Sequence, residues 1–288
     1  MTCLPCQAGN SDMLVLRADI CRQKGNPQRG IALCDRLLGK SPDNVGALTV
    51  KAHCLLNMHR PLEAMELCNR ALSLDKNSVE NYLHRGQCYY ELKKYSQALP
   101  DFDRVLKVEP KNTEALAARA RCHENTGKIA EAGRDLDLLI VAQPRSAQSY
   151  LSRAEYFERN HRLPEAIKDM SRLIELKPSD SFVFLTRARM LSRLHQWQAA
   201  LADYTTAIKL SPWDEEPHTG RAEVEMELKL YDNALRDLTR AIELDESSGR
   251  AFYVRSRVWA AMGKSELAQA DLRKAQSLGM TVLHLPGN

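Results

Sequence analysis

A strict period of 34 residues constrains this chain more than any other feature. Written from Ser11, the sequence falls into eight consecutive blocks without an insertion, starting at residues 11, 45, 79, 113, 147, 181, 215 and 249. Position 8 of every block is small: Ala18, Ala52, Gly86, Ala120, Ala154, Ala188, Ala222 and Ser256. Position 20 is small as well, as Gly30, Ala64, Ala98, Ala132, Ala166, Ala200, Ala234 and Ala268. Position 24 is bulky or sulfur-bearing: Cys34, Cys68, Phe102, Leu136, Met170, Tyr204, Leu238 and Leu272. A period of this length marks a stacked array in which each unit buries its apolar face against its neighbours.

Inside a block, positions 20, 24, 27 and 28 recur on one face of a helix. They are Ala98, Phe102, Val105 and Leu106 in the third block and Ala200, Tyr204, Ala207 and Ile208 in the sixth. Small residues let two helix axes approach, and the large ones fill the space beside them. Proline, which donates no backbone hydrogen bond, fixes the boundaries. Pro42, Pro110, Pro144, Pro178 and Pro212 close five blocks at position 32, Pro27, Pro61 and Pro164 open a second helix, and Pro217 lies in the first turn of a first helix. Pro100 sits a turn deeper and predicts a slight bend. Each block therefore predicts two helices.

The pattern resembles the tetratricopeptide repeat family, whose signature is W-x2-L-G-x2-Y…A-x3-F…P. The third block matches it with Tyr82, Gly86, Tyr89, Ala98, Phe102 and Pro110. The resemblance covers residues 11–282 and implies an all-α, right-handed superhelical solenoid of eight tandem helix-turn-helix repeats. A flexible segment, 1–10, precedes it and a tail, 283–288, follows. Glu225 departs from the pattern at the aromatic position 11 of block seven, and Lys76, Glu246 and Met280 replace the closing proline. Looser packing is expected at those joints.

Two charged columns accompany the apolar ones. Position 7 is basic throughout: Arg17, Lys51, Arg85, Arg119, Arg153, Arg187, Arg221 and Arg255. Alone, this line reads as an electropositive track. Position 23, however, is aspartate in blocks three to eight, as Asp101, Asp135, Asp169, Asp203, Asp237 and Asp271. The two columns lie on the first and second helices and are expected to meet as six structural bridges, for which a planar guanidinium suits a partly buried carboxylate. Blocks one and two carry Leu33 and Leu67 instead, which leaves Arg17 and Lys51 freer.

Composition excludes several classes. Basic and acidic residues, 41 against 37, leave a net charge of +4, too balanced for an array built around duplex nucleic acid. No apolar run approaches the roughly 20 residues of a membrane span. The start, MTCLPCQAGNSDM, lacks the basic and apolar regions of a secretory signal. A soluble, cytoplasmic protein is expected. Eight cysteines are too sparse for a disulfide scaffold. Cys21, Cys34, Cys54, Cys68, Cys88 and Cys122 fall at core or near-core positions and read as small hydrophobes. Cys3 and Cys6 form a C-x-x-C pair outside the array, without the second pair a metal site needs. The histidines show no H-x-x-x-H pair and no carboxylate at metal spacing, so no metal is expected. G-x-S-x-G, P-loop and dinucleotide-binding signatures are absent, which predicts a non-enzyme without cofactor. Trp197 occupies the packing position of Tyr95 and Tyr231, and Trp213 lies between blocks as a candidate rim contact.

The resemblance places function on the concave surface, at positions 2, 5, 9, 12 and 13 of the first helices. In blocks three and four these include Glu80, Gln87, Tyr90, Glu91, Glu114, Arg121, Glu124 and Asn125. Blocks five and six offer Glu155, Glu158, Arg159, Phe182, Arg189, Ser192 and Arg193. Block seven is acidic at Glu216, Glu223 and Glu227, and block eight basic at Arg250 and Arg257. Such a banded groove suits an extended peptide or a partner helix. The carboxylate clamp of chaperone-binding relatives is missing, since its lysine and asparagine positions hold Val15 and Asp19, Thr49 and His53, or Leu83 and Gln87. The expectation is a non-enzymatic interaction scaffold or adaptor. The alternatives are an RNA-associated helical repeat protein, or a co-chaperone adaptor lacking the usual clamp. After Ala275 and Leu278 the remaining GMTVLHLPGN is too short for a capping helix. Either Val282, Leu283 and Leu285 fold back over the last block, or that block self-associates with another chain.

Overall fold

The structure is a computed structural model describing residues 10–280, and every regular element among them is an α-helix. The chain divides into two compact units, Met1–Pro144 and Arg145–Asn288. The first holds α1 (Asn10–Gln23), α2 (Pro27–Leu38), α3 (Val45–Asn57), α4 (Pro61–Leu74), α5 (Val79–Glu91), α6 (Tyr95–Val108), α7 (Thr113–Asn125) and α8 (Ile129–Ala142). The second holds α9 (Ala147–Arg159), α10 (Leu163–Leu176), α11 (Ser181–Arg193), α12 (Trp197–Leu210), α13 (Glu216–Glu227), α14 (Tyr231–Leu244), α15 (Gly249–Ala261) and α16 (Ser265–Ser277). Each 34-residue block thus contributes an odd-numbered first helix and an even-numbered second helix, and within each unit consecutive helices pack on one another. The architecture is an all-α helical-repeat solenoid. Cys3, Cys6, Val282, Leu283, Leu285 and the tail at 283–288 lie outside the described residues.

The last residue of most blocks starts the next first helix. Asn44, Ser78, Asn112, Ser146, Asp180 and Ser248 each accept a backbone N–H from the first turn, at 2.8 to 3.4 Å. These bonds satisfy donors that a helix start otherwise leaves open. Three second helices, α2, α4 and α10, begin with proline in the first two positions, where its missing donor costs nothing. Pro100 does not interrupt α6. The turn inside every block passes through a left-handed residue at position 15: Gly25, His59, Lys93, Gly127, His161, His195, Lys229 and Gly263.

The small columns form the contacts between helices. All eight position-8 residues and the first seven position-20 residues are buried. A Cβ on Gly86 would lie 2.7 Å from Cε1 of Phe102, and one on Gly220 would lie 2.5 Å from Cε1 of Tyr204. Those glycines are therefore fixed by the aromatic side chains seated on them. In the last helix, α16, Ala268 and Leu272 are only half-buried. Among the described residues, no helix is long and apolar enough to cross a membrane.

Candidate functional site

The charged columns form a bracing system. In blocks three to eight the position-7 arginine donates through Nε and Nη2 to both oxygens of its own block's position-23 aspartate, at 2.5 to 2.9 Å. The six carboxylates are buried. Nη1 then reaches back to position 25 of the preceding block: Arg85 to Asn69, Arg119 to Asp103, Arg187 to Ser171 and Arg221 to Thr205, at 2.7 to 3.1 Å. One guanidinium thus ties three helices. The polar residues at position 25 carried this signal in the sequence, but only the fold shows what they face. They also correct the expectation for Lys51, whose Nζ pairs with Asp35 of block one at 2.6 Å. Arg17 is exposed. Hydrogen bonds donated to the aspartates raise the Arg85, Arg119 and Arg221 pKa values against the opposing effect of burial. Burial pushes the Asp237 carboxyl up, yet bonds from Arg221 and His218 hold it below its usual value.

The face lined by first helices is less open than its composition suggests. Residues at position 9 meet position 2 of the next block, 27 residues on. Gln87 Nε2 donates to Glu114, Arg189 pairs with Glu216, and Arg250 donates to both oxygens of Glu223 at 3.0 and 2.7 Å. Arg193 pairs with Glu158 at 2.6 Å, and Arg257 stands 3.7 Å from Glu227. Within single helices, Arg159 lies 3.7 Å from Glu155, and Asn125 Nδ2 donates to the Arg121 carbonyl at 2.8 Å. Tyr90 leans on Tyr95 with ring centroids 5.6 Å apart, while Glu91 and Phe182 are exposed. Much of the mixed charge is thus already neutralised laterally.

Between α11, α13 and α15 in the second unit lies a cavity of about 410 Å³. Val224 and Met226 line it together with Arg193, Glu223, Glu227 and Arg257. Trp197, which also packs against the core of this unit, and His195 stand at its edge, their rings 4.9 Å apart and nearly perpendicular. Trp213 is 79% exposed, with the Arg240 guanidinium 5.7 Å above its ring. Cys34, Cys54, Cys68, Cys88 and Cys122 are buried free thiols. Burial pushes Cys34 and Cys122 up to about 12 and Cys54 to about 11, so they stay protonated and unreactive.

The reading that no carboxylate stands at metal spacing from a histidine is corrected by the fold. Glu80 and His84 are four residues apart on α5, and the same 27-residue relation brings His53 of α3 beside Glu80. One ligating atom from each of the three lies within 4.8 Å of the others.

Comparison with known proteins agrees with this architecture. The model of the anaphase-promoting complex (cyclosome) subunit 3 family matches residues 23–100, and a tetratricopeptide repeat model matches residues 89–155. No curated protein matches the chain. Among solved structures, the C-terminal part of a tetratricopeptide repeat-containing protein from Cytophaga hutchinsonii superimposes with a TM-score of 0.70 at 18% identity, over 80% of this chain and 95% of that one. A tetratricopeptide repeat protein from Parabacteroides merdae gives 0.51 at 20% identity over 94% of both chains. YrrB, a tetratricopeptide repeat protein with an unusual peptide-binding site, gives 0.56 at 14% identity over 66% of this chain and 98% of its own.

Proposed function

Because the chain belongs to the tetratricopeptide repeat family, we propose that it is a non-enzymatic scaffold holding an extended peptide or partner helix on its first-helix face. The cavity between α11, α13 and α15 carries this reading. Its volume lies in the range of about 300–1,000 Å³ typical of binding pockets. Val224 and Met226 give it an apolar wall, and charges of both signs rim it. A partner side chain buried there gains hydrophobic free energy. Partner charges can exchange with the lateral pairs, so no rim charge is left without a counter-charge, and the rim selects sequence rather than adding much affinity. The peptide-binding site named for YrrB lends the mode a precedent in this fold. The same reading makes the chain an adaptor of a reducing, cytoplasmic compartment, in keeping with its free thiols.

A displayed peptide library selected on the full chain, followed by fluorescence anisotropy, tests the reading. Arg193→Glu and Glu227→Arg reverse exposed rim charges, and each is expected to weaken selected peptides by about tenfold or more. Failure to select any peptide, or selected peptides indifferent to both variants, would remove the proposal. Tight capture of single-stranded RNA with a steep salt dependence would replace it.

A further inference from the structure

His53, Glu80 and His84 form a cluster in the first unit, far in sequence from the cavity just described. His53 is half-buried on α3, Glu80 is exposed at the start of α5, and His84, one turn further along α5, is 2% exposed. The imidazole rings lie 4.3 Å apart between centroids. Ligand atoms on a tetrahedral zinc ion, each about 2.0–2.2 Å from the metal, stand about 3.3–3.6 Å from one another. The present separations, all within 4.8 Å, close to that geometry with shifts under about 1 Å, which side-chain rotation supplies.

One further observation marks the cluster as more than a chance meeting. Nδ1 of His84 is buried without a hydrogen-bond partner, although nearly all buried polar atoms in folded proteins have one. Arg22 opposes an added cation here, since its Nη1 donates to Nε2 of His53 at 3.3 Å. Arg22 is held in turn by Asp19, whose Oδ1 accepts from Nε at 2.8 Å.

The geometry points to a divalent transition-metal site, zinc by preference, formed by His53, Glu80 and His84 and clasping α3 to α5. Two imidazoles and one carboxylate are a donor set that zinc accepts with a water as fourth ligand, whereas magnesium and calcium prefer oxygen alone. An entering ion competes with Arg22 for Nε2 of His53. The inference stands apart from the scaffold reading, because it concerns the joint between blocks two and three.

The test uses the full chain, stripped with a chelator and titrated with Co²⁺, then with Zn²⁺ in competition with a chromogenic indicator. One equivalent of Co²⁺ is expected to give weak visible bands without a sulfur-to-metal charge-transfer band. His53→Gln and Glu80→Gln, which alter the less buried ligands, are each expected to weaken Zn²⁺ by about tenfold or more with an unchanged helical dichroism spectrum. Arg22→Met, which removes the competing cation, is expected to tighten it roughly threefold. Absence of stoichiometric binding would overturn the site, as would affinity untouched by His53→Gln and Glu80→Gln. A charge-transfer band abolished by Cys3→Ser with Cys6→Ser would likewise overturn it, assigning the metal to thiolates.

Discussion

At the scale of single residues, the arginine at position 7 explains why two charged columns persist through six blocks. A guanidinium has three nitrogens in one plane, enough for both oxygens of its own aspartate and one acceptor on the preceding block. Removing one partner of such a pair leaves a buried charge uncompensated, whereas replacing both leaves none. Asp203→Ala should therefore cost about 3–5 kcal/mol, and Arg187→Met combined with Asp203→Leu should cost less than Asp203→Ala alone. Chemical denaturation of the variants checks both statements. Glu225 is the opposite case, a carboxylate where Tyr89, Phe157 and Trp259 stand in other blocks. Its Oε2 is buried without a hydrogen-bond partner. Burial first, and then the Asp237 charge, push its pKa up from 4.5 to about 7, against Arg221 and Arg236. A pKa raised by folding means that the native state binds the proton more tightly. The stabilisation is full below about 4.5 and lost as pH climbs through 7. Thermal melts should thus show a decline from pH 5 to pH 8, at most about 3 kcal/mol in size, that Glu225→Gln flattens. Asp237 acts in the other direction, since its depressed pKa withdraws stability as the medium turns acidic.

At the scale of elements, the turn within each block is the least economical part of the repeat. Three blocks meet the left-handed position with glycine, and five force His59, Lys93, His161, His195 or Lys229 into it. Lys93→Gly should stabilise the fold by about 0.5 kcal/mol, the relief of strain exceeding glycine's entropy cost. Gly127→Ala should do the reverse by about 1 kcal/mol. No atom lies within 4 Å of the added Cβ, so that variant reads backbone strain alone in a melting curve. The helices themselves were legible from sequence because small residues at positions 8 and 20 have one packing explanation. The Arg–Asp pairs were suggested by matching columns in neighbouring helices. The lateral pairs between first helices were not legible, since they depend on the stagger of one block against the next. Only the folded stack brings Gln87 to Glu114, Glu223 to Arg250, or His53 to Glu80.

At the scale of the molecule, a repeat array is stabilised by contacts between neighbours and needs no single centre. On the proposed scaffold reading, its function is a property of the face it presents. The sequence located that face by family resemblance but overstated its free charge, because composition counts Arg189, Arg193 and Glu223 without the partners that neutralise them. What distinguishes one stretch of the second unit is the cavity where apolar wall and paired rim coincide. Photo-crosslinking tests this most directly, using a library-selected peptide carrying a diazirine at its central side chain and adduct mapping by mass spectrometry. Adducts at Arg193, Glu223, Glu227 and Arg257 are the predicted result. Adducts confined to the second helices α12, α14 and α16 would contradict the account.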